Sequence, residues 1–328
     1  AELRNAAKDS SVTSIVLGND IEIPDGDSPT FNHTMSIYGN NHNIVMTHNT
    51  RYGFIYDVLY INSENESDPA VVTFNDVNTY SASQYGAFYL KGNGGKLVLN
   101  NVTMTGGTSI WSDPNYNGLK TIEIKGKVTS NMVSSFNNPI DGTTVRTNFY
   151  DDPNNMGSTQ IYGGNHMIID DGAHLTLNGN GLVDVGISLR DNGDHTLSVG
   201  NNAGLDIKGS RNVNILMNKL KNDYSPFSNN FTVGTDANVN LSAGNTNLIM
   251  GNNVTNDSRV KDGSKNNITI GQSTVTMNVT NKHSNYYDGN IIVGGNKYYN
   301  NNSVNINNNA NVTLTAVGNA SNIISIGN

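Results

Sequence analysis

One pattern of sequence occurs four times in the last two-fifths of this chain, and few folds tolerate such a recurrence. Leu197-Ser-Val199-Gly-Asn-Asn-Ala203-Gly-Leu205-Asp-Ile207 is answered by Phe231-Thr-Val233-Gly-Thr-Asp-Ala237-Asn-Val239-Asn-Leu241. It returns from Ile268-Thr-Ile270 to Met277-Asn-Val279, and again as Val304-Asn-Ile306-Asn-Asn-Asn-Ala310-Asn-Val312-Thr-Leu314. A third apolar run follows each copy: Val213-Asn-Ile215-Leu-Met217, Leu248-Ile-Met250, Ile291-Ile-Val293 and Ile323-Ile-Ser-Ile326. Alternating apolar residues in three short runs, with a Gly- or Asn-bearing corner after each, predict three strands per coil of a β-solenoid.

The spacing selects the kind of solenoid. Ile215, Leu248, Ile291 and Ile323 are 33, 43 and 32 residues apart, so corner loops vary in length while the strands keep their grammar. This predicts an all-β, right-handed parallel β-helix of large, irregular coils. The same pattern runs back through Leu182-Val-Asp-Val185, Thr121-Ile-Glu-Ile124, Leu97-Val-Leu99 and Met35-Ser-Ile37 to Ser14-Ile-Val-Leu17. We therefore expect residues 1–328 to form a single ligand-binding solenoid of roughly 11 coils, about 50 Å long at ~4.8 Å per coil. Leu3, Ala6 and Ala7 lie at helical spacing, which predicts a short helix within residues 1–10 capping the open strand edges.

Composition removes several classes of function. Hydrophobic residues make up 35% and charged residues 14% of the chain, and Asn is the commonest residue; disorder is excluded by the regular alternation. There is no Cys, hence no disulfide framework, thiolate metal site or cysteine nucleophile. No apolar run is long enough to cross a membrane as a helix, so no membrane insertion is expected. A net charge of −8 argues against nucleic acid, which requires clustered Lys and Arg. Protonation of the seven His alone brings −8 to −1, and carboxylates titrating near pH 4 then leave a positive surface. The missing initiator Met and the array ending without a polar cap lead us to expect a piece of a longer chain.

Two acidic pairs, Asp151-Asp152 and Asp170-Asp171, have the chemistry for calcium or for acid and base catalysis. Both also sit in ordinary Asp-Pro and Asp-Gly turn contexts. The His residues are scattered, and only His42 and the more distant His48 share a neighbourhood. No Gly-x-Ser-x-Gly elbow precedes a helix, and no Gly-rich segment opens onto one. Neither a cofactor nor a metal is expected. The corner Asn and Gly residues read as structural, Asn for its tolerance of the left-handed conformation and its capacity to stack in amide ladders.

Alignment of the coils on their third strand places cations in the following loop: Lys91, Lys96, Lys120, Arg190, Lys219, Lys221, Arg259, Lys261, Lys265 and Lys297. Aromatics share these loops, among them Trp111, Tyr116, Tyr224, Phe227, Tyr298 and Tyr299, and the corner before the third strand adds Lys208 and Arg211. Equivalent corners stack in a parallel solenoid, so such residues form ridges along the rod. The candidate ligand-binding set is Arg190, Lys208, Arg211, Lys219, Lys221, Tyr224, Arg259, Lys261 and Tyr298. Guanidinium and ammonium groups interleaved with rings suit a chain of uronic acids. The competing reading is that a solenoid puts charge in its loops whatever it does, and Asp191, Asp194, Asp223, Asp257 and Asp262 lie beside these cations.

The strand grammar, the helix followed by Ile15-Val-Leu-Gly-Asn-Asp-Ile-Glu-Ile23, and the corner Ile37-Tyr-Gly-Asn-Asn-His-Asn-Ile44 resemble pectate-lyase-like right-handed β-helix proteins. The Asn-rich, Cys-free, acidic version is most similar to the binding regions of serine-rich repeat adhesins from lactobacilli. That resemblance implies a secreted, cell-wall-anchored bacterial surface protein of which this chain is part. It implies adhesion to acidic polysaccharides such as pectin and to mucosal or epithelial glycoproteins, and the charge balance leads us to expect stronger binding at acidic pH. Of the enzymatic boxes of polygalacturonases only an Asp-Asp matches, Gly163-Gly-Asn-His166 and Glu123-Ile-Lys125 being poor substitutes, and Ile110-Trp-Ser-Asp-Pro114 does not reproduce the pectate-lyase segment. A non-catalytic adhesin is the expectation, with a pectin-degrading enzyme built on Asp151-Asp152 and a self-associating biofilm module as alternatives.

Overall fold

The computed structural model describes residues 2–48, 57–113, 115, 118–147, 160–179, 184–217, 227–249, 264–280, 289–293, 299–317 and 321–325. Successive strands visit three parallel sheets in turn, and each sheet has ten strands. The first sheet runs from Ser14–Val16 to Tyr299–Ile306, the second from Ile21–Glu22 to Asn311–Ala316, and the third from Thr30–Phe31 to Ser321–Ser325. Each coil is therefore hydrogen-bonded to the coils before and after it, which is the β-solenoid expected. The stack has ten rungs rather than the expected eleven or so, or about 45 Å at ~4.8 Å per rung. After Lys127–Met132 the chain does not pass straight to Ile161–Tyr162. It turns aside into an antiparallel hairpin of Ser135–Asn137 and Thr144–Arg146.

The core follows from the alternation. Leu197, Phe231 and Ile268 are in register and fully buried, as are Leu205, Val239 and Val275 on the second sheet. Near the N-terminal end Phe31, Phe74 and Phe88 pack edge to face, with centroids 5.5 and 4.9 Å apart. The helix Glu2–Lys8 buries Leu3 and Ala7 against this end of the core.

The corner between the first and second sheets recurs with one backbone device. Asn41, Asp76, Asn101, Asn202, Asp236 and Asn309 all have positive φ, between 50 and 66°. Asn and Asp are the non-glycine residues that accept this conformation most readily. The corners also bond to one another: Asn41 N donates to Asp76 O at 2.7 Å, and Asp76 N to Asn100 O at 3.0 Å.

The third sheet departs from the sequence alignment in its last rungs. Ile215 is opposite Ile249, not Leu248, and Ile249 is opposite Ile292. A shift of one residue exchanges the two faces of a strand, and here it turns Asn247 and Asn290 into the interior, both fully buried. Their side-chain NH2 groups are satisfied there by an amide ladder. Asn247 Nδ2 donates to Asn290 Oδ1 at 2.7 Å, and Asn290 Nδ2 to Asn322 Oδ1 at 2.8 Å and to Thr315 O at 2.9 Å. Apolar runs such as Asn-Leu-Ile-Met have no phase of their own; the paired amides set it.

Candidate functional site: an aromatic ladder on the third sheet

Four consecutive strands of the third sheet, Leu59–Ser63, Phe88–Gly92, Ile110–Ser112 and Ile161–Tyr162, each place an aromatic residue after a buried apolar one. The inward residues Leu59, Phe88, Ile110 and Ile161 belong to the core, so the next residue faces outward by the period of two. The register puts Tyr60, Tyr89, Trp111 and Tyr162 directly opposite one another. Four rungs make a strip of rings about 15 Å long at ~4.8 Å per step.

The rings contact along the strip. The Tyr60 and Tyr89 centroids are 5.4 Å apart, and those of Trp111 and Tyr162 are 4.2 Å apart. Tyr85, from the preceding corner, packs against Tyr89 at 5.7 Å and edge-on to Trp111 at 4.9 Å. Burial pushes the Tyr89 phenol well above its ordinary pKa, reinforced by Asp113, whose Oδ2 accepts the Tyr89 hydroxyl at 3.2 Å. The rings of Tyr60, Tyr85, Trp111 and Tyr162 remain partly exposed.

Two cations border the strip. The Arg190 guanidinium lies over the Tyr162 ring and 5.5 Å from the Trp111 centroid. At the other end Lys91 Nζ lies 5.8 Å from the Tyr60 centroid. The negative ring faces attract both. Arg190 is held from beneath by a buried polar network. Its neighbour Asp191 receives Lys120 Nζ at 3.1 Å and the Ser112 hydroxyl, and Lys120 Nζ also donates to Asp113 O at 3.1 Å. His195 Nε2 lies 2.7 Å from the Asp191 carbonyl oxygen. Backbone proximity completes the fit: a Cβ on Gly163, whose φ is +100°, would stand 2.6 Å from Ser112 Cβ.

Of the residues singled out from sequence, Arg190 is at this ladder. Lys208 is an exposed end residue of the second-sheet strand Gly204–Lys208, beside a shallow groove with Asp206, Asn240 and Asn178. Arg211 is exposed in the turn before the third-sheet strand Asn212–Met217. Arg190 follows a third-sheet strand, so these three cations lie on two different corners of the solenoid. Lys219, Lys221, Tyr224, Arg259, Lys261 and Tyr298 lie outside the described residues, as do Tyr116, Lys297 and Asp151-Asp152.

Two cations expected in exposed ridges are elsewhere. Lys120 opens the first-sheet strand Lys120–Lys125 and is fully buried, because Asp191 and the Asp113 carbonyl satisfy its ammonium. Lys96, on the first sheet, is ion-paired with Glu123, which Lys125 also reaches at 3.2 Å. Burial pushes the Glu123 carboxyl up, but the hydrogen bonds from Lys96 and Lys125 outweigh it and hold the group below its ordinary value. The Asp170-Asp171 pair is a corner: Asp171 Oδ1 accepts Asn201 N at 2.7 Å, and Asp170 lies 3.7 Å from Lys125.

With this geometry in hand, the known proteins divide by part of the chain. Residues 1–111 match the family model described as "Putative pectate lyase-like adhesive domain". The match ends at Trp111 and takes in three of the four ladder positions. Over the whole length the fold is that of solved serine-rich repeat protein (SRRP) structures. The SRRP of L. reuteri 53608 superposes with a TM-score of 0.66 at 23% identity, covering 99% of this chain and 97% of that one. The SRRP of L. reuteri 100-23 gives 0.69 at 21% identity, covering 98% and 96%. At these identities the likeness is one of fold. No curated protein sequence matches the chain.

Proposed function

We propose that this chain is the non-catalytic binding region of a secreted bacterial surface adhesin, and that it holds acidic polysaccharide or glycoprotein glycans along the aromatic ladder. The observation that carries the reading is the unbroken register of Tyr60, Tyr89, Trp111 and Tyr162 with Arg190 stacked at one end. Pyranose rings present flat C–H faces that pack on aromatic rings. A uronate carboxylate beside such a stacked sugar meets the planar fork of an arginine, which pairs with it bidentately. A strip of repeated, evenly spaced rings suits a repeating linear ligand better than a compact one. The adhesive description of the matched N-terminal family and the SRRP fold point the same way.

Acidic pH favours this binding through the carboxylates around the strip. Asp113 borders Tyr89, and Glu64, Glu66 and Asp68 are exposed in the loop after the strand that carries Tyr60. Lower pH reduces the chain's net charge of −8 and with it the repulsion of a polyanion.

The test is binding of polygalacturonate, with neutral galactan as control, at about pH 4.5 and pH 7, bracketing the carboxylate range. Wild type is expected to prefer polygalacturonate and the lower pH, and Trp111→Ala is expected to abolish the preference. Equal binding by wild type and Trp111→Ala removes the ladder from the site. Release of unsaturated or reducing ends from the polymer supports the enzymatic reading instead.

A further inference from the structure

The corners between the second and third sheets bring three potential ligands together at the N-terminal end. Asp25 follows the strand Ile21–Glu22, His48 follows Asn43–Met46, and Asp57 precedes Leu59–Ser63. They come from two successive coils. His48 Nδ1 lies 2.6 Å from Asp25 Oδ1 and 3.5 Å from Asp57 Oδ2. One ligand atom from each residue falls within 4.8 Å of the others.

The Asp57 side chain carries the argument, because it is wholly buried. Its Oδ1 accepts Gly26 N at 3.1 Å, whereas its Oδ2, facing His48, has no hydrogen-bond partner among the described residues. His48 Nδ1, also buried, makes no hydrogen bond of acceptable geometry among the described residues. Proteins rarely leave a buried carboxylate oxygen unsatisfied, and the cost is largest for a charged group. A cation between the three residues removes that cost.

We propose that Asp25, His48 and Asp57 form a binding site for a divalent transition-metal ion of the zinc type. The donor set is one imidazole nitrogen and two carboxylate oxygens, which zinc accepts with a fourth position left to water. Calcium and magnesium are disfavoured, since they take six or more oxygen ligands and have little use for imidazole. The geometry suits a small ion: ligand bonds of about 2.0–2.2 Å call for donor separations near those found, with Asp25 moving slightly outward. Asp25 has that freedom, because its side chain is 60% exposed. In the same turn Asp27 is ion-paired with Arg4 of the helix Glu2–Lys8, so the metal fastens the corner on which that helix is anchored.

The experiment is zinc titration of the chelator-treated protein by calorimetry, with thermal unfolding in parallel. Saturable binding with a rise in melting temperature is expected, and calcium or magnesium at the same concentration should not reproduce it. His48→Ala and Asp25→Asn should each weaken zinc affinity by at least the roughly 10- to 100-fold typical of outer-shell changes at metal sites. Asp25 is exposed, so its variant tests the site even where Asp57→Asn fails to fold. Absence of saturable binding, or binding that survives both His48→Ala and Asp25→Asn, overturns the proposal. A melting temperature that zinc does not move, with His48→Ala destabilised regardless of metal, shows His48 to be a structural bridge between two carboxylates and equally overturns it.

Discussion

Lys120 Nζ and Asp191 Oδ2 are 3.1 Å apart, and the two side chains are 0% and 1% exposed. The pair links the start of a first-sheet strand to the corner that presents Arg190, across 71 residues of sequence. Loss of one partner leaves a buried charge uncompensated, which costs about 3–5 kcal/mol, whereas apolar replacement of both is often close to neutral. Lys120→Met is therefore expected to lower stability by about that amount in urea unfolding, and Lys120→Met with Asp191→Leu to recover most of it. Recovery of stability without recovery of glycan binding would show that the pair positions Arg190.

Arg190 itself separates charge from shape. Arg190→Lys keeps the positive charge and loses both the flat stack on Tyr162 and the two-pronged contact with a carboxylate. We expect it to weaken polygalacturonate binding nearly as much as Arg190→Ala, by roughly 10-fold or more if the side chain is a hot spot worth at least about 1.4 kcal/mol. Isothermal titration at one ionic strength checks this, and binding by Arg190→Lys at the wild-type level would contradict it.

Gly163 sets how closely Tyr162 approaches Trp111. Gly163→Ala forces a side chain into Ser112 from a backbone angle that L residues rarely adopt. Strain of this kind costs on the order of 1–3 kcal/mol. The variant should melt earlier and show altered Trp fluorescence, since the chain has a single Trp.

Acidity acts on the fold in the opposite sense to its effect on the ligand. Burial holds the His195 imidazole below its ordinary pKa, outweighing its contacts with Asn229 and the Asp191 backbone, and burial does the same to His166. The unfolded chain then binds more protons than the native one below about pH 6.5. Their stabilising contribution is complete above that value and is lost as pH falls toward the depressed native pKa, at up to about 1.4 kcal/mol per pH unit for each group. The fall in melting temperature from pH 7 to about 5.5 should be smaller in His195→Gln than in wild type; equal slopes would refute the assignment.

The interior amides offer a separate check. Asn290 donates twice and accepts once inside the solenoid. Asn290→Leu removes an acceptor of the buried Asn247 Nδ2, which keeps only Asn278 O, and a buried polar group left short of a partner costs about 1–3 kcal/mol. Chemical denaturation should show a loss well beyond that of a surface Asn→Leu change such as Asn311→Leu.

Much of the architecture was legible because a strand reports its inward face every second residue. Leu197, Phe231, Ile268 and Val304 align in the structure as they do in the sequence. The ladder was harder to read. Tyr60, Tyr89, Trp111 and Tyr162 are 29, 22 and 51 residues apart, so no fixed offset brings them into line. Trp111 is expected in a loop although it lies on a strand, and nothing local sets Tyr60 or Tyr89 apart from other strand residues. The usable signal was a ring after an inward apolar residue: Leu-Tyr, Phe-Tyr, Ile-Trp, Ile-Tyr. Lys120 misled for a different reason, since its partner Asp191 is close only once the coils are stacked. Asp25, His48 and Asp57 were equally invisible, because Asp25 belongs to one coil and His48 and Asp57 to the next, at the two ends of one corner.

The unequal intervals between ladder residues have a genetic consequence. Chain length inserted at a corner, even a whole hairpin such as Ser135–Asn137 with Thr144–Arg146, leaves the distance between neighbouring rings unchanged, because backbone pairing between coils sets that distance. Insertions and deletions in this gene would therefore redraw the rim of the surface while preserving its graduation, and recognition of a linear polymer can drift in selectivity without losing its measure.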